Sequence, residues 1–81
     1  MDENRFVFMD RVANVYLVQP MSDGILWLCR WNSNTKKFTT IRQLSHNEAN
    51  SYPRNLTDFE QNLYLREAGL TLIREAGDTH G

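Results

Sequence analysis

Residues 25–42, ILWLCRWNSNTKKFTTIR, constrain the fold of this chain more than any other stretch. Two runs rich in aromatic and β-branched residues flank the turn-prone cluster Asn32, Ser33, Asn34 and Thr35, which is the pattern of a β-hairpin. Successive side chains along a strand point to opposite faces. Pairing the arms symmetrically about Ser33 and Asn34 sets Trp31 opposite Lys36, Cys29 opposite Phe38, Trp27 opposite Thr40 and Ile25 opposite Arg42. One face then carries Ile25, Trp27, Cys29, Trp31 and Phe38. The other carries Leu26, Leu28 and Ile41 with Arg30, Lys37 and Thr39. Both faces are apolar. A slip of one residue would exchange the faces of one strand, so this register is a working assumption. The ordinary reading is that one face packs on a helix while the other keeps scattered apolar groups. The alternative is a surface for a partner or a second copy.

With 41% hydrophobic residues, the chain falls among globular rather than disordered proteins. Its 81 residues suit a single domain, residues 1–81, with a thin core that dimerisation would stabilise. The polar, acidic start is unlike a signal peptide, and the apolar runs at 15–18 and 25–29 are too short to span a bilayer. The single cysteine, Cys29, cannot form an internal disulfide, which suits a cytoplasmic protein. A net charge of −1 gives no bulk attraction for nucleic acid or membrane. The distribution is uneven, however. Residues 25–44 hold four bases (Arg30, Lys36, Lys37 and Arg42) and no acid, whereas the segments on either side carry an excess of acids.

Residues 5–9 and 12–19 read as strands, with Asp10 and Arg11 as a bulge or turn between them. Phe6, Val7, Phe8 and Met9 are consecutive apolar residues, which suits a buried strand or a covered edge. Pro20 and Asp23-Gly24 close the second strand. Residues 5–42 are therefore expected to form an antiparallel meander of three or four strands. Residues 45–77 change to a helical period. Ser45-His46-Asn47-Glu48 matches a capping box whose helix Pro53 must keep short. Thr57-Asp58-Phe59-Glu60 opens a longer helix with two acids at its positive end. Phe59, Leu63, Leu70 and Ile73 fall on one helical stripe, and Leu65, Ala68, Leu72 and Ala76 on another. The pattern favours a helix running through Gly69 to Gly77, against a cap at Gly69 followed by a strand over residues 70–73. Residues 78–81 are expected to be a mobile tail. The resulting fold class is α+β: a β-meander packed on one or two C-terminal α-helices that cover one face of the sheet.

Catalytic chemistry has little to work with here. A metal site needs several ligands, and the chain holds one Cys and two His. Ser45 beside His46 is explained by a helix cap, and Cys29 reads as a small core hydrophobe. There is no Gly-rich phosphate loop, and no pair of acids is spaced to share a proton. The expectation is a protein that is not an enzyme and takes no cofactor and no metal. Over residues 23–48, Trp31 and Phe38 around a polar turn, within a meander followed by a helix, resemble the sheet-reading DNA-binding domains of phage integrases. The resemblance implies DNA contact through the sheet. It carries no diagnostic motif, the acidic second half departs from it, and it assigns no family.

Two function classes remain. The first is a protein-binding module, a regulator, inhibitor or adaptor, whose small size suits a phage or another mobile element. Its surface would centre on Trp27, Trp31 and Phe38 beside Arg30, since aromatics next to arginine commonly carry interface energy. Leu65 and Leu72 are the helical alternative, for a symmetric homodimer. The second class is a nucleic-acid-binding module that presents Arg30, Lys36, Lys37 and Arg42 on the hairpin. In the assumed register Arg30 and Lys37 share one face, Lys36 and Arg42 the other. That split, with a pI near 6.0, favours the first class.

Overall fold

The computed structural model describes residues 5–73. They form β1 (Phe6–Met9), β2 (Val15–Pro20), β3 (Leu26–Asn32), β4 (Lys37–Leu44), α1 (His46–Ser51) and α2 (Asp58–Glu67). The strands make one antiparallel sheet in the order β1-β2-β3-β4, so the fold is the α+β meander that the sequence predicts.

Each turn has a local cause. After β1 the Asp10 carboxylate accepts from the N–H groups of Val12 and Asn14, at 3.0 and 2.8 Å, and Ala13 takes a positive φ of 69°. After β2 the turn passes through Gly24 at φ 85°, a conformation that glycine adopts without strain. After β3 the Asn32 side chain accepts from the N–H groups of both Asn34 and Thr35, and Lys36 takes φ 60°. This Asn-capped turn is longer than the symmetric one read from the sequence. It sets Trp31 opposite Phe38 rather than Lys36, and Cys29 opposite Thr40 rather than Phe38. A shift of two residues leaves every side chain on its expected face. A β-bulge at Leu28/Cys29 then changes the parity, so that Arg42 lies opposite Leu28 and Gln43 opposite Trp27.

The sheet is covered on both faces, which corrects the expectation of one. Phe6, Phe8, Val18, Leu26, Leu28 and Leu44 pack with Ala49 of α1, flanked by Tyr16 and Tyr52. On the opposite face Val7, Val15, Leu17 and Cys29 pack with Leu65 of α2, flanked by Trp31, Phe38, Tyr64 and Ile73 among others. Pro53 is the physical reason. It holds Tyr52 extended (ψ 149°) and ends α1. The chain then turns around the outer edge of β1, with the Arg54 guanidinium 3.4 Å from the centre of the Phe6 ring, before α2 begins on the other side. A strand enclosed on both faces accounts for the unbroken apolar run of β1.

Ser45 caps α1 by accepting from the Glu48 N–H, but the second half of that box does not form. The Glu48 carboxylate turns instead to Arg42 and to the Tyr52 hydroxyl. The box of α2 is complete, with Thr57 and Glu60 exchanging both bonds. α2 stops at Glu67, so the continuous helix through Gly69 is corrected. Gly69 sits at φ 73°, its N–H bonds to the Arg66 carbonyl, and the Leu70 N–H bonds to the Leu65 carbonyl. These are the two bonds of a Schellman cap. Avoiding glycine inside a helix saves about 1 kcal/mol against alanine, and the turn brings Ile73 back to the sheet. Residues 70–73 form no strand either. They are pinned by the buried Asn62 amide, which donates to the Ile73 carbonyl (2.7 Å) and accepts from its N–H (2.6 Å). The expected extension to Gly77 and the tail at 78–81 lie outside the described residues.

Candidate interaction surface

The two edges of the sheet are treated differently. An edge strand presents unpaired N–H and C=O groups that can pair with another chain. Along β1 side-chain amides occupy the Val7 N–H and both backbone groups of Met9. The Val7 N–H donates to Gln61 Oε1 at 2.8 Å. Asn55 accepts from the Met9 N–H at 3.1 Å and donates to the Met9 carbonyl at 2.7 Å. Gln61 in turn donates to the Leu56 carbonyl, which fixes its orientation. The opposite edge is β4. It runs for eight residues, the last strand of the sheet, and residues 39–43 are all exposed. Among the described residues, no amide side chain covers β4 as Gln61 and Asn55 cover β1.

The bulge decides where the cations go. Residues directly opposite each other share a face, so Arg30 (opposite Thr39), Lys37 (opposite Asn32) and Arg42 (opposite Leu28) all lie on the face that holds α1. This corrects the expected split, which had placed Arg42 on the other face. Lys36 sits in the turn at φ 60°. Arg30 Nη2 donates to Asn14 Oδ1 at 2.9 Å. Arg42 forms a two-point ion pair with Glu48. The Arg42 guanidinium holds the Glu48 carboxyl below the usual carboxylate range, helped by the Tyr52 hydroxyl. The unneutralised positive charge is thereby concentrated at the turn end of the hairpin. A shallow hollow of about 370 Å³ lies there, lined by Arg30, Trp31, Asn32, Ser33, Thr39 and Ile41.

The aromatic residues that sequence reasoning placed on a partner surface sit differently. Trp31 packs edge-on against Phe38 and Tyr64, with ring centres 5.0 and 5.2 Å apart, and so joins the hairpin to α2. Trp31 and Phe38 are half-buried supports of the second core. Trp27 is half-buried opposite Gln19 and Gln43. Leu65 is fully buried and belongs to no surface, which corrects its assignment. Leu72 is exposed but lies beyond the end of α2, so it shares no helical stripe with Leu65. The apolar side chains that α2 does expose are Phe59 and Leu63. Sequence reasoning also missed Ile41, 48% exposed beside Thr39. The only available signal was the β-branched run Thr39-Thr40-Ile41 in a strand without acids.

Cys29 is buried, and burial pushes its thiol up, against a smaller opposing pull from the Thr40 hydroxyl. Such a thiol is a poor nucleophile at neutral pH. A second hollow, of about 510 Å³, is walled by Phe8, Tyr16, Leu28 and Tyr52. Both of its tyrosine hydroxyls are engaged: that of Tyr16 donates to Asp10 and that of Tyr52 to Glu48. Among the described residues, no three His, Cys, Asp or Glu side chains are grouped to hold a metal ion, and no helix is long and apolar enough to cross a membrane. Comparison with family models, curated proteins and solved structures finds no match for the chain.

Proposed function

We propose that this chain is a small, non-enzymatic, cytoplasmic protein-binding module, a regulator, inhibitor or adaptor, and that it meets its partner along the outer strand of the β3–β4 hairpin. The observation that carries this reading is the exposure of β4. β1 and β2 have no exposed residue, whereas β4 exposes residues 39–43 in a segment that holds bases and no acid. The contact residues are Arg30, Lys37, Thr39 and Ile41, with Trp31 and Phe38 stiffening the hairpin from behind. Photo-crosslinking in extracts of the source cells tests this, with the crosslinker placed at Ile41 or, for comparison, at Phe59. A protein trapped from Ile41 and not from Phe59 supports the reading. Trapping from Phe59 alone moves the surface to α2 and ends it.

A second reading has one observation in its favour. The bulge gathers Arg30, Lys37 and Arg42 on one face, as a nucleic-acid surface requires, although Glu48 neutralises Arg42. This reading expects DNA retention at low salt that is lost in Lys36→Glu combined with Lys37→Glu, with no change in melting temperature. No retention of duplex or single-stranded DNA by the native protein ends it.

A further inference from the structure

We propose that β4 takes up an extended, acid-bearing segment of another protein as a fifth strand of the sheet. The inference rests on the protein-binding reading and specifies how the partner is held.

Three observations converge on this mode. The first is the contrast between the edges. Gln61 and Asn55 occupy the Val7 N–H and both backbone groups of Met9, so an incoming strand finds the ladder of β1 interrupted. β4 offers eight residues at the other edge, long enough for a peptide to pair through its backbone. The second is charge. Lys36, Lys37 and Arg30 cluster at the turn end, and residues 25–44 contain no acid. A second copy of this chain, paired antiparallel through β4, would set the Lys37 half of each strand against the Arg42 half of the other. Glu48 already neutralises Arg42 there, so the second copy would bring no free acid to the turn-end cations. A strand with acids where it meets the turn end approaches the same edge with complementary sign. The third is the hollow of about 370 Å³ beside Thr39 and Ile41. A strand laid along β4 presents alternate side chains to each face. One of them meets this hollow, where the half-exposed Ile41 supplies apolar contact and Arg30 a charge. Backbone pairing gives such a site its affinity, and the hollow gives it a preference for one side chain.

The test uses the full chain and two displayed libraries of peptides long enough to span β4, with randomised centres flanked by glutamates in one and lysines in the other. The expected result is enrichment from the glutamate library alone. Amide hydrogen exchange with a selected peptide should then show slowing within residues 37–44. Methylating two neighbouring amides of that peptide that donate to β4 should weaken binding about tenfold, because each such bond contributes modestly and two together approach a decade in affinity. Enrichment from the lysine library, or from neither, overturns the proposal. So does binding that leaves β4 exchange unchanged. Concentration-dependent protection of β4 in the peptide-free protein, with a dimer in sedimentation equilibrium, overturns it in favour of self-pairing. If crosslinking at Ile41 traps a protein while β4 exchange never slows, strand addition fails and the protein-binding reading stands. If neither occurs, both fail.

Discussion

Gln61→Glu is a direct probe of how α2 is locked to the edge of the sheet. A backbone N–H can only donate, so the amide oxygen of Gln61 must face Val7, and its NH₂ must face the Leu56 carbonyl, 3.0 Å away. The side chain is 6% exposed. An ionised carboxylate in its place still accepts from Val7, but it sets a second oxygen against the Leu56 carbonyl. A buried acceptor left without a donor costs about 1–3 kcal/mol, and burying the charge adds to that cost. Protonation repairs both faults, because the acid O–H donates to Leu56 while its carbonyl oxygen accepts from Val7. The folded state therefore raises the pKa of the introduced carboxyl above its ordinary value of about 4.3. A raised folded-state pKa gives stability that is complete below the unfolded pKa and lost as pH rises through the folded one. The variant should be close to native near about pH 4 and weaker by about 2–4 kcal/mol near about pH 8. In a domain of this size that is a fall in Tm on the order of 10–30 °C. Urea unfolding of both proteins across this range, read as the difference at each pH, removes the titration they share. Gln61→Leu, which loses both bonds without adding a charge, should show a deficit that does not vary with pH. A Gln61→Glu deficit that is flat, or that grows on acidification, would refute the clamp.

Other perturbations separate core from surface. Leu65→Ala removes a fully buried side chain from beneath α2 and should cost about 2–5 kcal/mol in chemical denaturation. A near-neutral result would mean that α2 does not dock on this face. Glu48 is held below its ordinary pKa chiefly by Arg42, so its contribution is present above the unfolded pKa and lost as pH falls through the folded one. Glu48→Gln should lower Tm at neutral pH and flatten the acid-side decline. Parallel acid limbs for the two proteins would show that the ion pair stabilises nothing.

Much of the site was legible only as a type of surface. The acid-free hairpin and its aromatic content were plain from residues 25–42, and strand alternation placed Cys29, Trp31 and Phe38 on one face correctly. Trp31 still could not be told apart from an interface residue, because its cover is Tyr64, some thirty positions away in sequence and brought close only by the turn of the chain around β1. Leu65 and Leu72 looked equivalent by helical spacing. The cap at Gly69 sends them to opposite fates, one to the core and one to solvent.

Local chemistry by itself determined the meander, the turns at Asp10, Gly24 and Asn32, the short first helix and the start of the second. Each of these depends on residues a few positions apart, through a side-chain cap, a positive φ or a proline. Only the tertiary structure decided that the helices take opposite faces, that the bulge gathers Arg30, Lys37 and Arg42, and that side-chain amides cover one edge of the sheet and not the other. The covered edge depends on Asn55 and Gln61 reaching β1 from more than forty residues away. Contacts of that range are set by how packed elements compete for the same surface, and local periodicity carries no record of it.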